Sequence, residues 1–342
     1  MNLPIVKTAY SEINNLLYKS YLPNIVNAAI EVGVFDVLSN KVLSCADLTK
    51  EMDTDKQITK ALLEVLVVID FLKKKSDRYS LTVLASEYVT HASEINQLGA
   101  VKSFVVDGGP FKNLTQALKG DIPEFDQSIW STEKAIRGIE QGAKAGAIQQ
   151  IVAFAKEIPE FKKATRMCDF AGNSGYYSFA LMHENRNLYA HVYDLKAVCE
   201  IASKIKKDES DFNRISYHSF DVRAGDDFGS GYDLFFSSHY LYEFGATNRL
   251  TNLLKRVNKS MKLGGLFLSN HINGDVNGDH QLTLAIVELM TRTMGFPTHC
   301  LPEGVLKRAL TEAGFGKYKT KATNERLAYP TMLLSAIKIK EL

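Results

Sequence analysis

A series of short apolar segments after residue 160 constrains the fold most, because a polar residue stands at or near the end of each one. "ATRMCDFAG", "LYAHVYDL" and "ISYHSFDV" carry Asp169, Asp194 and Asp221 near their ends, and "YDLFFSSHYL" carries Ser238. Helical patterns separate these segments, and "GGLFLSNHI" follows as a fifth. Strands that alternate with helices predict a doubly wound α/β domain with a parallel sheet. In such sheets, ligands bind at the carboxyl ends of the strands.

The first hundred residues show a different pattern. Apolar residues at helical spacing in "LPNIVNAAIEVGVFDVLS" predict a helix, and Ser44 with Asp47 predicts a capping box at the start of the next one. We expect Asp53 or Thr54 to cap the helix after that. "FLKKKSDRYSLT" predicts two short strands joined by a polar turn. Helix, helix, helix and hairpin is the order of a winged helix.

Composition excludes several classes of function. A net charge of +2, from 41 basic and 39 acidic residues, gives no global footprint for nucleic acid or an anionic membrane. Asp53 and Asp55 in the candidate recognition helix also disfavour DNA binding. No run approaches the roughly 18 to 20 apolar residues of a membrane span, and the N-terminus lacks a secretory pattern. The four cysteines form no C-x-x-C pair, so we expect reduced thiols, a cytoplasmic protein and no metal site.

The segment "DFAGNSG" after the first strand indicates a ligand site. Gly172 and Gly175 allow a tight turn and a close approach of the backbone to a ligand. Asp194, at the end of the next strand, can accept hydrogen bonds from ribose hydroxyls. The segment departs from the G-x-G-x-x-G pattern of dinucleotide sites, and Asp169 precedes it. A leading carboxylate suits a cationic or zwitterionic ligand such as S-adenosylmethionine (SAM) better than a pyrophosphate.

Several segments also carry a resemblance to a known family. "AAIEVGVFDVLS", "ADLTKEMDTD", "CDFAGNSGYYSFAL", "MKLGGLFLSN" and "LKRALTEAGFGKY" occur in this order. The chain resembles the class I SAM-dependent small-molecule O-methyltransferases, which include the plant caffeate-type enzymes and bacterial natural-product relatives. The resemblance implies a winged-helix dimerisation domain (1–100), connecting helices that form part of the substrate pocket (101–160), and a Rossmann-like SAM-binding domain (161–342). It therefore implies a homodimer that uses SAM, releases S-adenosylhomocysteine (SAH) and acts on a small molecule.

The resemblance also implies a set of cofactor-binding residues. These are Asp169, Gly172, Asn173, Gly175, Asp194, Leu195, Asp221, Val222 and Ser238. The family's usual D-x-G-G-G-x-G loop is altered here at Ala171 and Asn173. Alanine is a small change, and asparagine tolerates left-handed backbone angles, so we expect the loop to keep its function.

The catalytic residues of the family are not matched. Its histidine base and supporting glutamate fall on Tyr242 and His271, when the family's aromatic residue is aligned with Phe244. Three interpretations stay open: His271 is the base and Tyr242 orients the acceptor, His239 is the base, or no base is needed because the acceptor is a thiolate, an amine or a thioether. A hydroxyl oxygen is the leading acceptor, and a SAM-binding protein with non-methylating chemistry is a further alternative. We interpret Glu243 as a charge at a helix start.

The substrate pocket is expected between the helices of segments 91–150 and 279–300. Its candidate residues are Tyr240, Met290, Met294 and His299. Methionines at helical spacing also suit ordinary core packing, although a methionine-rich face adapts well to a flat ligand.

Overall fold

The computed structural model describes residues 5–105, 111–122, 127–245, 248–274, 280–296, 298–323 and 327–342. The chain divides into two compact units, Met1–Lys112 and Asn113–Leu342. The first unit has the helices α1 (Ser11–Lys19), α2 (Leu22–Glu31), α3 (Val34–Val37), α4 (Cys45–Met52), α5 (Lys56–Val68), α6 (Val83–Tyr88) and α7 (Leu98–Val105). Its strands are β1 (Leu43–Ser44), β2 (Leu72–Lys75) and β3 (Arg78–Leu81).

The first unit is a winged helix, as the sequence predicts. Strands β2 and β3 form the expected hairpin, and β1 pairs with the other edge of β3, so the antiparallel order is β1-β3-β2. Its core is a buried apolar cluster to which Phe35, Leu63 and Leu66 belong. The cluster joins the inner faces of the helices to the sheet, which accounts for the stability of a unit of this size.

Helix capping in this unit agrees with the sequence at one position and differs at another. Ser44 and Asp47 form the predicted capping box at the start of α4. The prediction that Asp53 or Thr54 caps α5 is wrong, because Asp55 is the N-cap and its carboxylate accepts the N–H groups of Gln57 and Ile58. Asp53 instead ends α4 in a left-handed conformation, with φ of +51°.

The second unit begins with helices and continues as an alternation of strands and helices. Its helices are α8 (Leu114–Leu118), α9 (Glu133–Lys144), α10 (Ala147–Lys156), α11 (Pro159–Lys163), α12 (Tyr176–Glu184), α13 (Lys196–Lys206), α14 (Asn248–Ser260), α15 (Gln281–Thr293) and α16 (Glu303–Glu312). Its strands are β4 (Arg166–Phe170), β5 (Tyr189–Asp194), β6 (Ile215–Ser219), β7 (Tyr232–Ser238), β8 (Met261–Ile272), β9 (Phe315–Thr323) and β10 (Thr331–Lys338). Short 3-10 helices span Gln127–Ser131, Phe212–Arg214 and Leu241–Phe244.

The sheet of the second unit has the order β6-β5-β4-β7-β8-β10-β9. Strands β4 to β8 pair in parallel, whereas β10 is antiparallel to both of its neighbours. The strand order reverses between β4 and β7, which is where ligands bind in sheets of this kind. The predicted doubly wound α/β fold is therefore confirmed, and its topological switch point lies directly beyond Asp169 and Ser238.

Two apolar layers cover the faces of this sheet. Phe170, Phe235 and Phe267 belong to one buried cluster. Met167, Leu234 and Leu266, which lie on the same strands but point to the opposite face, belong to the second. Successive side chains of a strand point to opposite faces, so the near-continuous apolar runs of the sequence follow from burial on both sides.

Two further features bear on the general class of protein. No helix of the described ranges is long and apolar enough to cross a lipid bilayer. All four cysteines lie in these ranges, and no disulfide joins any two of them.

The cap of α5 gives a stability prediction. Asp55→Ala should lower the free energy of unfolding by about 1 kcal/mol, because two N–H groups at the helix start lose their acceptor. Asp55→Asn, which keeps an acceptor oxygen, should stay close to the wild type. Urea denaturation of both variants checks this, and an equal loss for the two substitutions would contradict the capping role.

Candidate active site

The turn between β4 and α12, residues 171–175, has an unusual backbone. Ala171, Asn173 and Gly175 have φ values of +54°, +52° and +74°. Asparagine adopts this region with little strain, but for alanine it costs roughly 1 kcal/mol. Ala171 is therefore a larger change from glycine than its size alone suggests.

Two glycines of the turn are required for different reasons. A Cβ atom on Gly172 would lie 2.6 Å from Cγ of Asp169 and 2.7 and 2.9 Å from its two carboxyl oxygens. Asp169 is buried and hydrogen-bonded, so it cannot easily move aside. A Cβ atom on Gly175, the N-cap of α12, would lie 2.7 Å from the end of the Ile215 side chain, which could move, so the left-handed backbone is the stronger requirement there.

Asp169 lies beneath the turn with 1% of its surface exposed. Burial raises the pKa of its carboxyl group to about 7, while the 2.6 Å hydrogen bond that Ser178 Oγ donates opposes that rise and the nearby Asp194 adds to it. An acid with such a pKa ionises readily when a cation binds beside it.

Asp194 connects the end of β5 to the same turn. Its carboxylate accepts the N–H of Asn173 at 2.8 Å and the N–H of Leu195 at 2.7 Å. Burial of the carboxyl group raises its pKa to about 6, and these two hydrogen bonds act against the rise. A carboxylate has about four lone-pair positions, so Asp194 retains capacity to accept from ligand hydroxyls.

The remaining predicted cofactor residues lie on the flanking strands. Asp221 follows the end of β6 by two residues, and its Oδ1 accepts the N–H of Arg223. Val222 packs against the aromatic cluster of the sheet, and Ser238 ends β7, where its hydroxyl accepts from Asn270. Since β6, β5, β4 and β7 are adjacent, the predicted residues occupy one continuous edge of the sheet.

Tyr242 lies in the 3-10 helix after β7 and is 8% exposed. Its ring stacks on His299 at 4.3 Å between centroids and meets Phe296 edge-on at 6.0 Å. Burial raises the pKa of its phenol well above the ordinary value, so the hydroxyl is protonated at neutral pH. Tyr242 can orient a ligand or donate a hydrogen bond to it, but it is a poor base.

His271, near the end of β8, is 1% exposed. Neither ring nitrogen makes a hydrogen bond of normal geometry with the described residues. Burial lowers the pKa of the imidazole to about 4, while the charge of Glu303 and the nearby backbone of Leu301 oppose this shift. An unpartnered buried imidazole is costly, and a ligand atom or an ordered water would satisfy it. His271 is therefore neutral and able to accept a proton or a hydrogen bond from a bound molecule.

His239 and His299 have related environments. His239 has a left-handed backbone with φ of +51°, meets Tyr329 edge-on at 5.9 Å, and lies 3.1 Å from Asn270 through Nε2. Burial lowers its pKa to about 3, and the neighbouring His299 and His271 contribute because a second imidazolium beside either of them would be repelled. His299 bonds to Thr291 Oγ1 at 2.9 Å through Nδ1, and burial lowers its pKa to about 4.

No carboxylate is hydrogen-bonded to the ring of His239, His271 or His299 within the described ranges. Two carboxylates act on these rings from a greater distance, since the charge of Glu303 raises the pKa of His271 and that of Glu288 raises the pKa of His299. Burial outweighs both effects, so all three imidazoles are neutral at neutral pH.

Glu243 lies in the first turn of the 3-10 helix Leu241–Phe244, as its interpretation as a helix-start charge predicts. It is also 5% exposed, and its carboxylate forms a 2.5 Å ion pair with the guanidinium of Arg223, which the sequence did not indicate. Because Arg223 lies twenty positions earlier in an irregular segment, no local pattern could have revealed the pair.

The predicted substrate residues are only partly brought together. Tyr240 meets Phe170 edge-on at 5.1 Å, and Met294 packs against the same aromatic cluster. A cavity of about 390 Å³ lies beside α15 and is lined by Gly274, Leu284, Glu288, Thr298, Cys300, Leu301, Pro302 and Val305. Met290 and Met294 do not line it. Residues 106–110, 123–126, 279 and 297 of the expected pocket segments lie outside the described residues.

The comparison with protein families matches the first unit. Residues 14–91 match the O-methyltransferase dimerisation domain. An uncharacterized protein of Methanocaldococcus jannaschii is 25% identical over 256 residues, which cover 73% of this chain and 67% of that protein. The N,N-dimethyltransferase OxyT of Streptomyces rimosus is 22% identical, with 70% of this chain and 72% of that protein covered.

Solved structures resemble this chain over nearly its whole length. Human N-acetylserotonin methyltransferase, solved in complex with SAM, superposes with a TM-score of 0.74 and 20% identity, covering 98% of this chain and 99% of that one. The chain therefore has the two-domain fold of class I SAM-dependent methyltransferases. Its first domain is an O-methyltransferase dimerisation domain, and the resemblance seen in the sequence is confirmed.

The tight packing at position 172 gives a second prediction. Gly172→Ala should destabilise the protein by roughly 1 to 3 kcal/mol, because the added methyl group overlaps the Asp169 carboxyl group. Gly138→Ala is the matched control: a Cβ atom there meets nothing within 4 Å on α9, so it should be neutral or slightly stabilising. Chemical denaturation measures both, and equal effects would contradict the close packing.

Proposed function

We propose that the protein transfers the methyl group of SAM to a small-molecule acceptor, with a hydroxyl oxygen as the first candidate. The observation that carries the proposal is the position of two buried carboxyl groups on either side of one turn. Asp194 binds the N–H of Asn173, and Asp169 lies so close to Gly172 that no side chain fits there. SAM is a cation with an ammonium group, a sulfonium and ribose hydroxyls. Buried carboxyl groups with raised pKa values favour a cationic ligand, since its binding stabilises their ionised forms.

The other predicted cofactor residues have parts to play in this proposal. Asp194 would accept hydrogen bonds from the ribose, with Leu195 beside it, while Asp221 and Val222 would meet the adenine. Ser238 at the end of β7 would face the methionine part of the ligand. Methyl transfer is an in-line displacement, so this edge of the sheet serves mainly to hold donor and acceptor in line.

The acceptor of such a site would be an acidic hydroxyl, such as a phenol or an enol. His271 is our candidate for the proton acceptor, because its buried ring is not hydrogen-bonded to any side chain among the described residues and the charge of Glu303 favours its protonated form. Its pKa of about 4 makes it a weak base, which suits an acceptor that gives up its proton easily. Tyr242 and His239 are assigned to orientation, and Tyr240, Met290, Met294 and His299 to contacts with the acceptor.

A nitrogen or sulfur acceptor is the second candidate. It is favoured by the lack of a carboxylate hydrogen-bonded to the three histidines in the described ranges, and by similarity to an N,N-dimethyltransferase. Amines and thiolates attack a methyl sulfonium without a base to assist them. Aromatic faces such as Tyr242 would then stabilise a cationic product.

The dimerisation domain supports a homodimer as the working form. We propose that this homodimer is cytoplasmic and that its partner is a small-molecule substrate rather than a nucleic acid.

The cofactor proposal predicts a pH dependence of SAM binding. Below about pH 7 the Asp169 carboxyl group is protonated in the free protein, and below about pH 6 so is that of Asp194. A cation binds the ionised forms, so affinity should rise with pH through this range, by at least tenfold between about pH 5.5 and about pH 8. Isothermal titration with SAM measures it, and buffers of different ionisation enthalpy report the released protons.

The controls for this measurement are Asp194→Asn and titration with SAH. Asp194→Asn should weaken binding and flatten the pH profile at its lower end. SAH keeps the ammonium group but lacks the sulfonium, so it should show the same trend more weakly. Failure of both SAM and SAH to bind the wild-type protein would sink the proposed function.

The acceptor proposal predicts different effects on different nucleophiles. His271→Ala should reduce kcat for a phenol by roughly 100-fold and leave the rates for an amine or a thiol nearly unchanged. Tyr242→Phe keeps the ring on His299 and should have a smaller effect on every acceptor. A methyl-transfer assay with phenol, thiol, thioether and amine acceptors separates these outcomes.

A matched control is His183→Ala, which changes an exposed histidine of α12 and should leave all rates unaltered. If His271→Ala methylates the phenol at the wild-type rate, His271 is not the base. Loss of activity in His239→Ala would then identify His239 as the base. Turnover restricted to amines or thiols would establish the second candidate function.

A further inference from the structure

A buried ion pair lies beside the turn at 171–175 and comes from helices outside the sheet. Glu140 lies on α9, and Lys206 ends α13 with only 5% of its surface exposed. The Lys206 ammonium contacts both oxygens of the Glu140 carboxylate, at 2.9 and 2.8 Å. It also lies 3.2 Å from Glu209 Oε1. A lysine this deeply buried needs such partners, because an unpaired ammonium is costly to remove from water.

Glu140 also binds the turn itself. Ser174 Oγ donates a hydrogen bond to Glu140 Oε2 at 3.0 Å, and Ser174 is 2% exposed. The backbone of Ser174 is held separately, since Tyr217 donates to its carbonyl oxygen at 2.8 Å and its N–H binds Asn173 Oδ1 at 2.8 Å. The side chain of Ser174 is thus directed by Glu140, and Glu140 is directed by Lys206.

The same charges reach the first residue of α12. Lys144 lies 3.2 Å from Glu140, and the ammonium groups of Lys144 and Lys206 lie 4.6 and 4.8 Å from the centre of the Tyr176 ring. Burial would raise the pKa of Glu140, but the two lysines more than offset this and lower it, so the carboxylate is ionised at neutral pH. The charged cluster therefore holds both Ser174 and the residue that follows Gly175.

A buried ion pair contributes little to stability compared with an apolar pair of the same volume, so its value lies in fixing geometry. The turn needs such fixing here. Ala171 holds a left-handed conformation that alanine resists, and strained backbone persists only where its surroundings determine it. Without the tether from Ser174 to α9, the turn would have fewer contacts to hold it in this shape.

We propose that Glu140 is a positioning residue for the cofactor, acting through Ser174 to keep the 171–175 turn in the conformation that binds SAM. This inference rests on the proposed function, because it assigns a role within the same cofactor site. Glu140 makes no contact with the reacting atoms in this scheme. Its loss should weaken cofactor binding and leave the chemical step almost unchanged.

The test compares Glu140→Gln, Ser174→Ala and the double variant in SAM binding by isothermal titration and in steady-state kinetics. Each single variant should raise the Kd and KM for SAM roughly tenfold, with kcat at saturating SAM within about twofold of the wild type. The double variant should bind no more than about twofold worse than Glu140→Gln, since both changes remove one tether. A purely structural defect would instead lower kcat and the active fraction together.

Glu140→Gln leaves the charge of Lys206 without its main partner, so it needs controls. Ser174→Ala leaves the ion pair intact, so it tests the tether even if Glu140→Gln does not fold. The double variant Glu140→Gln, Lys206→Met removes both charges and should keep the weak SAM binding. Glu157→Gln breaks an exposed 2.6 Å ion pair with Lys319 in the same unit and should bind SAM like the wild type.

Two results would overturn the inference: wild-type affinity for SAM in Ser174→Ala, or additive losses in the double variant of Glu140 and Ser174. Neither result touches the proposed function, provided the wild-type protein binds SAM. If the wild-type protein fails to bind SAM or SAH, the proposed function itself fails first.

Discussion

The carboxyl group of Asp169 lies beneath the turn after β4, where it accepts a hydrogen bond from Ser178 and leaves no space for a side chain at position 172. This contact determines how closely the turn lies on the sheet and where α12 begins. It also brings the backbone of Asn173 within reach of Asp194 on the neighbouring strand. Burial raises the pKa of both carboxyl groups, an environment that suits the positively charged ligand proposed above.

The three histidines of the site differ from the two carboxyl groups, because burial keeps them in their basic, uncharged form. His239, His271 and His299 are neutral, because burial disfavours their charged forms and no carboxylate hydrogen-bonds to their rings in the described ranges. A histidine base paired with a glutamate would share its new charge with that partner. Here Glu303 and Glu288 act on the rings of His271 and His299 without a hydrogen bond to them, so in the proposed reaction the acidity of the acceptor would matter more.

The sequence could predict those features that depend on local pattern. Strands β2 to β8, the glycines at 172 and 175, and the capping box at Ser44 follow from periodicity, close approach and helix-end chemistry, each within a few residues. Strands β1, β9 and β10 were not predicted. Placing Asp169, Asp194 and Asp221 on one sheet edge needed only the rule that parallel strands end on the same side.

Features that depend on tertiary contacts could not be predicted in this way. Arg223 pairs with Glu243, and Tyr242 stacks on His299, across separations that no periodic pattern records. The cap at Asp55 was missed for a different reason: two neighbouring positions had equally suitable side chains, and only the backbone angles decide between them.

The turn at 171–175 illustrates how tertiary contacts can replace an intrinsic preference. Glycine adopts left-handed angles without strain, whereas alanine at 171 does not, so the conformation must be imposed from outside the turn. Asp194 holds the N–H of Asn173, Tyr217 holds the carbonyl oxygen of Ser174, and Glu140 holds its hydroxyl. A turn fixed on three sides is already in one shape before a ligand arrives. Less conformational entropy would then be lost on binding than in a mobile glycine-rich turn, so the contacts that hold Ala171 in its strained conformation would also favour binding.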